Sequence, residues 1–348
     1  MKKSVKILLI VVSAILLTAL AAAGLGWYVF ADKLSAAGSV KKLADNLYYM
    51  EYKGDYGFEK FLSEGGAASE EEMANYIVFM MSGGFVKLDT EEVALDFGCS
   101  ALSVKGGDYS LMGRNYDWQG EKGNAMIIHT DPDDGYESYS TTWLDFLGFG
   151  EGFAPEDYRS KYMSIAAIYV PLDGMNEKGL CVADLIAGDS EVTKQNTDKA
   201  DLTTTSAIRL LLDKAANVEE AVKLLEEYDM NSSIGMAHHL AISDREGNSV
   251  VVEYVNGEMI VTETDIVTNH YLAEGEKFGV GNEESHKRFE KIEGMKNSVN
   301  SKESMADCMK SVSYEGETQW SIVYDKQNMT LDFYNRRDFY APLSFDFK

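Results

Sequence analysis

Proline is almost missing from this chain, four residues in 348, which excludes collagen-like, mucin-like and proline-rich linker architectures. Cysteine is scarce too. Three thiols, at positions 99, 181 and 308, are too few for a disulfide scaffold, and the odd number leaves at least one unpaired. Basic charge is short: 32 Lys plus Arg stand against 57 Asp plus Glu, a formal charge of −25. Neutralising phosphates takes a basic face, so a nucleic-acid binder is excluded. What is present is ordinary. With 45% hydrophobic and 26% charged residues the chain has the profile of a folded protein, long enough for one large domain or two small ones.

The longest uncharged run is residues 7–31, preceded by three lysines. About 20 apolar residues span a bilayer, so the run is long enough to be a membrane anchor. Trp27 and Tyr28 near its outer end suit an interfacial belt, and the lysines favour a cytoplasmic N-terminus. The alternative is a cleaved signal peptide ending near Ala21-Ala22-Ala23. Either way the chain is expected outside the cytoplasm, tethered to the cell membrane or secreted, with a charge of −28 once the leading lysines are set aside.

Residues 41–81 read as helices with exposed acids, Ser69 capping a start with Glu70, Glu71 and Glu72 in the first turn. From Cys99 onward strands take over. The runs 109–115, 125–130, 163–170 and 180–186 are short, apolar and bounded by turn residues. Residues 203–228 carry helical spacing in two pieces, the second capped by Asn217. A three-strand meander is expected over 238–262, then helices near 285–295 and 302–312 and a last hairpin over 320–334. Strand blocks separated by helical blocks predict a layered α+β fold, antiparallel sheets covered by helices.

The chemistry gathers around Cys99. Arg114 follows 15 residues on and Asp117 three further, so one hairpin can bring the three together. A thiol is a weak nucleophile until ionised, and a neighbouring Arg stabilises the thiolate. None of the five histidines lies in a thiol-protease signature. A Cys that becomes N-terminal carries its own base, since an α-amino group has a pKa of about 7.7–8.0, and Asp117 could hold that amine.

Cys99 with Gly113-Arg114-Asn115-Tyr116-Asp117-Trp118, then Met175-Asn176-Glu177-Lys178-Gly179-Leu180, Val267-Thr268-Asn269-His270 and Ser285-His286-Lys287-Arg288-Phe289, resembles the choloylglycine hydrolase family. That family includes bile salt hydrolases and penicillin V acylases, N-terminal nucleophile amidases. The resemblance implies a four-layer αββα fold over 99–348 and hydrolysis of a linear amide C–N bond without a cofactor. It matches Cys99 to the nucleophile, Arg114 and Asp117 to the groups that poise it, Asn269 to the oxyanion-hole side chain and Arg288 to a buried active-site arginine. Trp118 and Ile186 fall at substrate-binding positions. Ile186 departs from the pattern, because bile salt hydrolases have Asn there and penicillin V acylases Tyr, so a second oxyanion donor would have to be a backbone N–H. The 98 residues before Cys99 resemble the long leaders of the acid ceramidase and isopenicillin N acyltransferase relatives.

These readings lead to a precursor that cuts itself between Gly98 and Cys99, Gly98 tolerating the strained geometry of attack. Segment 32–98 is then a helical pro-segment that stays bound as a non-covalent partner, with 7–31 at the membrane. The substrate is an uncharged N-acyl amide rather than a conjugated bile salt. Acyl transfer, or a catalytically silent binding module, are the alternatives. Against these stand plainer roles: a buried structural thiol for Cys99, a salt bridge for Arg114 and Asp117, a turn for Asn176, core thiols for Cys181 and Cys308. No metal is expected, since His238 and His239 point to opposite faces of a strand.

Overall fold

The computed structural model describes residues 30–82, 97–118, 123–150, 153–188 and 191–347. Helix α1 covers 30–39 and leads into the hairpin β1 (Lys41–Ala44) and β2 (Leu47–Lys53), then α2 (Phe58–Ser63) and α3 (Glu70–Met81). Strands β3 (Phe97–Lys105), β4 (Ser110–Trp118), β5 (Ala125–Asp131) and β6 (Ser138–Trp143) follow. After α4 (Tyr158–Met163) come β7 (Asp173–Asn176), β8 (Cys181–Ile186) and β9 (Asp201–Thr203). Helices α5 (Thr204–Lys214) and α6 (Val218–Glu226) precede β10 (Asp229–Asn231) and the meander β11 (His238–Ser243), β12 (Ser249–Val255) and β13 (Glu258–Glu263). The chain closes with β14 (Ile266–Val267), α7 (Glu283–Met295), α8 (Lys302–Ser311), β15 (Thr318–Asp325), β16 (Thr330–Asn335) and β17 (Leu343–Asp346).

Period-two alternation explains the layers. Along β4, Met112, Tyr116 and Trp118 face one way and join Cys99, Ile127, Cys181, Ala183 and Val251 in a core between two sheets. Leu111 faces the other way, with Leu102, Ile292, Met305 and Met309 under α7 and α8. Gly113 on this face lets α8 approach, since a Cβ there would fall 2.5 Å from the Met305 sulfur. Val182, Leu240 and Val252 point from the second sheet into a third core, roofed by Ile208, Leu211 and Leu225 of α5 and α6. The order is therefore helix, sheet, sheet, helix, the αββα arrangement expected. One sheet runs β14-β3-β4-β15-β16-β17; the other runs β1-β2-β5-β6-β7-β8-β11-β12-β13, where β2 and β5 alone are parallel.

The caps at Ser69, Thr203 and Asn217 form as their sequences dictate, each side-chain oxygen taking an N–H of the first turn. Two expectations fail. Residues 41–53 form a hairpin rather than a helix: Tyr48, Met50 and Tyr52 enter one core while Leu47 enters the other, and Asn46 makes the turn in the left-handed region. The segment upstream of Cys99 is thus part of the larger sheet, not purely helical. Residues 163–170 form the end of α4 and a 3-10 turn (Ser164–Tyr169) with every turn residue buried, and an apolar run buried all round carries no period to separate strand from helix. Among the described residues no helix is long and apolar enough to cross a membrane, while the run 7–31 lies outside the described residues up to position 29.

Lys326 is fully buried, its ammonium donating to Ser103 Oγ and Ser243 Oγ at 3.0 Å each. Burial pushes its pKa down to about 8 against the pull of Cys181 and Asp244. The unfolded lysine titrates at about 10.4, so between these values the unfolded chain binds a proton that the folded one has lost, and stability rises with pH. Relative to Lys326→Met, wild type is expected to hold a constant stability below pH 8 and to gain up to ~3 kcal/mol between pH 8 and 10.4 in denaturant titrations. A difference constant with pH would mean that the buried amine keeps its proton.

Candidate active site

The register of β3 on β4 sets the site. Gly98 pairs with Asp117, Cys99 with Tyr116 and Ala101 with Arg114, so Cys99 and Arg114 share the inter-sheet face while Asp117 lies on the helix face. Arg114 and Asp117 therefore do not pair with one another. Arg114, with no exposed surface, places Nε 2.8 Å from Asp173 Oδ2 and donates from Nη2 to the Asp184 carbonyl at 2.8 Å. Its guanidinium lies over the rings of Tyr116 and Trp320. Asp173 also accepts from Trp320 Nε1 at 3.0 Å, the Tyr324 hydroxyl at 2.9 Å and Thr141 Oγ1.

On the other face, Asp117 accepts from Arg288 Nη1 at 3.3 Å and Thr318 Oγ1 at 2.5 Å. Burial pushes its carboxyl up to about 6, opposed by Arg288 and by the Thr318 hydrogen bond. Gly98 does not adopt the left-handed region. Its lack of a Cβ serves close approach instead of strain, since a methyl there would stand 2.8 Å from Arg288 Nη1.

Asn269 joins the two faces. Its Oδ1 accepts the Cys99 backbone N–H at 2.6 Å and Arg288 Nη2 at 2.7 Å, and its Nδ2 donates to the Ile186 carbonyl at 2.8 Å. The first two partners can only donate and the third only accept, so the amide orientation is fixed by chemistry. Ile186 meets the site through its backbone, and its side chain joins the apolar cluster that holds Cys99. Trp118 lies on the Cys99 face, stacked on Tyr116 with Phe146 edge-on at 5.0 Å.

Cys99 itself is 3% exposed. Burial pushes the thiol up to about 11; Arg114 and the Asp117 backbone N–H pull it down, and the Asp117 charge works against them. Protonation of the thiol is therefore favoured at neutral pH. Cys181 and Cys308 are buried free thiols in other core positions, and Asn176 ties its turn by accepting from Lys178 N and Leu180 N, as expected. Asp173 and Thr318 were not legible as site residues: no spacing announces a partner on another sheet or strand.

A family profile described as acyl-coenzyme A:6-aminopenicillanic acid acyl-transferase matches residues 104–337. The match spans Arg114, Asp117, Asn269 and Arg288 and starts just after Cys99. The penicillin V acylase of Pectobacterium atrosepticum is 28% identical over 167 residues, covering 44% of this chain and 43% of that protein, so less than half of that relative's length is matched. A mutant of the conjugated bile acid hydrolase from Clostridium perfringens superposes with a TM-score of 0.51 at 16% identity, over 71% of this chain and 92% of the other. A second variant of that hydrolase gives 0.50 with the same identity and coverage. These two likenesses show a shared fold.

Replacing Asp173 with Asn leaves a fully buried guanidinium without its counter-charge. Breaking one partner of a buried pair costs about 3–5 kcal/mol, and Asp173→Asn is expected to lose that much in denaturant unfolding. A loss below about 1 kcal/mol would show that the Tyr and Trp donors, not the ion pair, fix this carboxylate.

Proposed function

Since the chain belongs to the acyl-coenzyme A:6-aminopenicillanic acid acyl-transferase family, whose relatives include amidases such as penicillin V acylase, we propose that it is an exported thiol amidase activated by self-cleavage before Cys99. One observation carries the reading. The Cys99 N–H sits 2.6 Å from Asn269 Oδ1, inside a network with Arg288 and Asp117 that would hold a free amine as readily as an amide.

In the proposed precursor reaction, Sγ of Cys99 attacks the Gly98 carbonyl carbon. The C–N bond breaks, the nitrogen takes the thiol proton, and a thioester forms. Water then hydrolyses it, giving a Gly98 carboxylate and a Cys99 with free thiol and amine. That amine, of ordinary pKa about 7.7–8.0, takes the thiol proton when a substrate N-acyl amide is attacked. Asn269 Nδ2, turned from the Ile186 carbonyl, and a backbone N–H would hold the oxyanion. The proton passes to the leaving amine and water releases the acid. An amine in place of water would make the enzyme an acyltransferase, a reading that the family's own description favours. With apolar Ile186 at the site and strong negative charge, neutral acyl amides suit it better than conjugated bile salts.

The upstream segment is proposed to remain bound. Tyr48, Met50, Phe61, Met73 and Ile77 share one core with α5 and α6. Tyr49 stacks on Phe345, and the Tyr56 hydroxyl donates to Asp213 at 2.6 Å inside the protein. If 7–31 is an uncleaved anchor, this packing also holds the cut enzyme at the membrane.

Mass spectrometry of the purified exported protein is expected to find a fragment beginning at Cys99. Cys99→Ala should stay intact and inactive toward N-acyl amides while keeping its fold, and Cys99→Ser should process slowly. An intact wild-type chain would favour the silent-module alternative. After cleavage in membranes, the Cys99 fragment is expected to survive a high-salt wash and to leave with mild denaturant. Its release on cleavage alone would make the segment a disposable leader.

A further inference from the structure

The corner between β10 and β11 is strained and shared. Ile234 adopts φ 49°, a left-handed conformation that a β-branched residue rarely takes. Contacts from both sides hold it there. The Ser233 N–H donates to Thr204 Oγ1 at 3.1 Å, and the Ile234 N–H donates to the carboxylate of Glu70, in the first turn of α3 upstream of Cys99.

The corner also leads to the nucleophile. The Ser233 carbonyl lies 2.9 Å from His238 Nε2, and His238 Nδ1 lies 2.8 Å from Asp184 Oδ1. Both ring nitrogens face acceptors, which suits an imidazolium: burial opposes that charge, but Asp184 and the Ser233 carbonyl hold the pKa above its ordinary value. The Asp184 carbonyl in turn takes the Arg114 guanidinium at 2.8 Å. His238 sits opposite Ile186 in the sheet register. Ile234 and Met236 pack against the apolar cluster containing Cys99, Leu185 and Ile186.

We infer that Glu70, on the segment upstream of the proposed cut, is a specificity-determining residue: by holding the 232–236 corner it sets Ile234 and Met236 as the apolar wall for the substrate's acyl chain. This rests on the amidase reading above. The retained segment then does more than keep the enzyme together, because one of its carboxylates holds residues that pack on the apolar cluster containing the thiol. Glu70 acts through the corner and touches neither Cys99 nor Asn269, so it is a positioning residue.

The test uses the full-length protein after self-processing. Glu70→Ala removes the acceptor, Glu70→Gln keeps an acceptor oxygen, and Glu71→Gln changes a neighbouring charge without a bond to the corner. Two readouts are taken: kcat and KM over N-acyl amides of increasing chain length, and amide deuterium exchange over 232–237. Glu70→Ala is expected to raise KM for the longer acyl chains by roughly three- to tenfold, with kcat little changed and faster exchange at the corner. Glu70→Gln should restore most of both, and Glu71→Gln should match wild type. Glu70→Ala with a wild-type chain-length profile overturns the inference, whether or not exchange changes. Wild-type protein that hydrolyses no amide overturns instead the reading on which it rests, and the exchange measurement still shows whether Glu70 holds the corner.

Discussion

Arg114 and Asp173 form an ion pair across the gap between the two sheets, and the site is arranged around it. Taking both charges out of water costs several kcal/mol each, which attraction offsets only when the remaining donors and lone pairs are used. Here they are used. Asp173 gathers hydrogen bonds from Thr141 on its own sheet and from Trp320 and Tyr324 on the other, and Arg114 reaches across to the Asp184 carbonyl. Sliding one sheet past the other would strand these groups, so the pair fixes how β4 lies over β7 and β8. That in turn puts Cys99 beside a guanidinium, a favourable charge in an otherwise discouraging environment for a thiolate.

The balance at Cys99 runs against ionisation. Burial outweighs Arg114, and protonation of the thiol is favoured. Asn269 is committed as well, its Oδ1 to the Cys99 N–H and its Nδ2 to Ile186. Breaking the 98–99 peptide would change both at once. A new amine would replace the amide, Asp117 and Arg288 would face a group able to carry charge, and the upstream carbonyl would be free to leave. The residues that hold the uncut backbone are thus the ones that would surround the new amine.

Legibility followed periodicity. The helices α5 to α8 and the β11–β13 meander could be read because one face of each is apolar at its own period. Residues 163–170 could not, being apolar on every side. The hairpin over 41–53 was hidden by its lysines and acids, although its Tyr and Met residues alternate with period two. At the site, the ordered motifs brought Cys99, Asp117, Asn269 and Arg288 into one network. The same period of two separated Arg114 from Asp117, a split that three-residue spacing along a strand should have announced. Asp173, Thr318 and Glu70 were invisible for another reason. Their partners lie 59, 201 and 164 residues away in sequence, and pairing at that range is chosen by the fold.

The upstream segment is where that fold-level choice matters most. β2 runs parallel to β5 along seven paired residues, between β1 and the rest of the nine-stranded sheet. Removing it would expose the edge of β5, the ring of Phe345 and the apolar turn Ser164–Tyr169 that packs against α3, at about 25 cal/mol for each Å² of apolar surface. A single peptide bond between Gly98 and Cys99 contributes nothing to that packing. A cut there would break no contact of the shared core or of the Tyr56–Asp213 bond, and would change the charge and the freedom of one nitrogen. Strand β3 runs through that bond, Phe97 and Gly98 pairing with Trp118 and Asp117 just as Cys99 pairs with Tyr116, so one sheet holds the described residues on both sides of it.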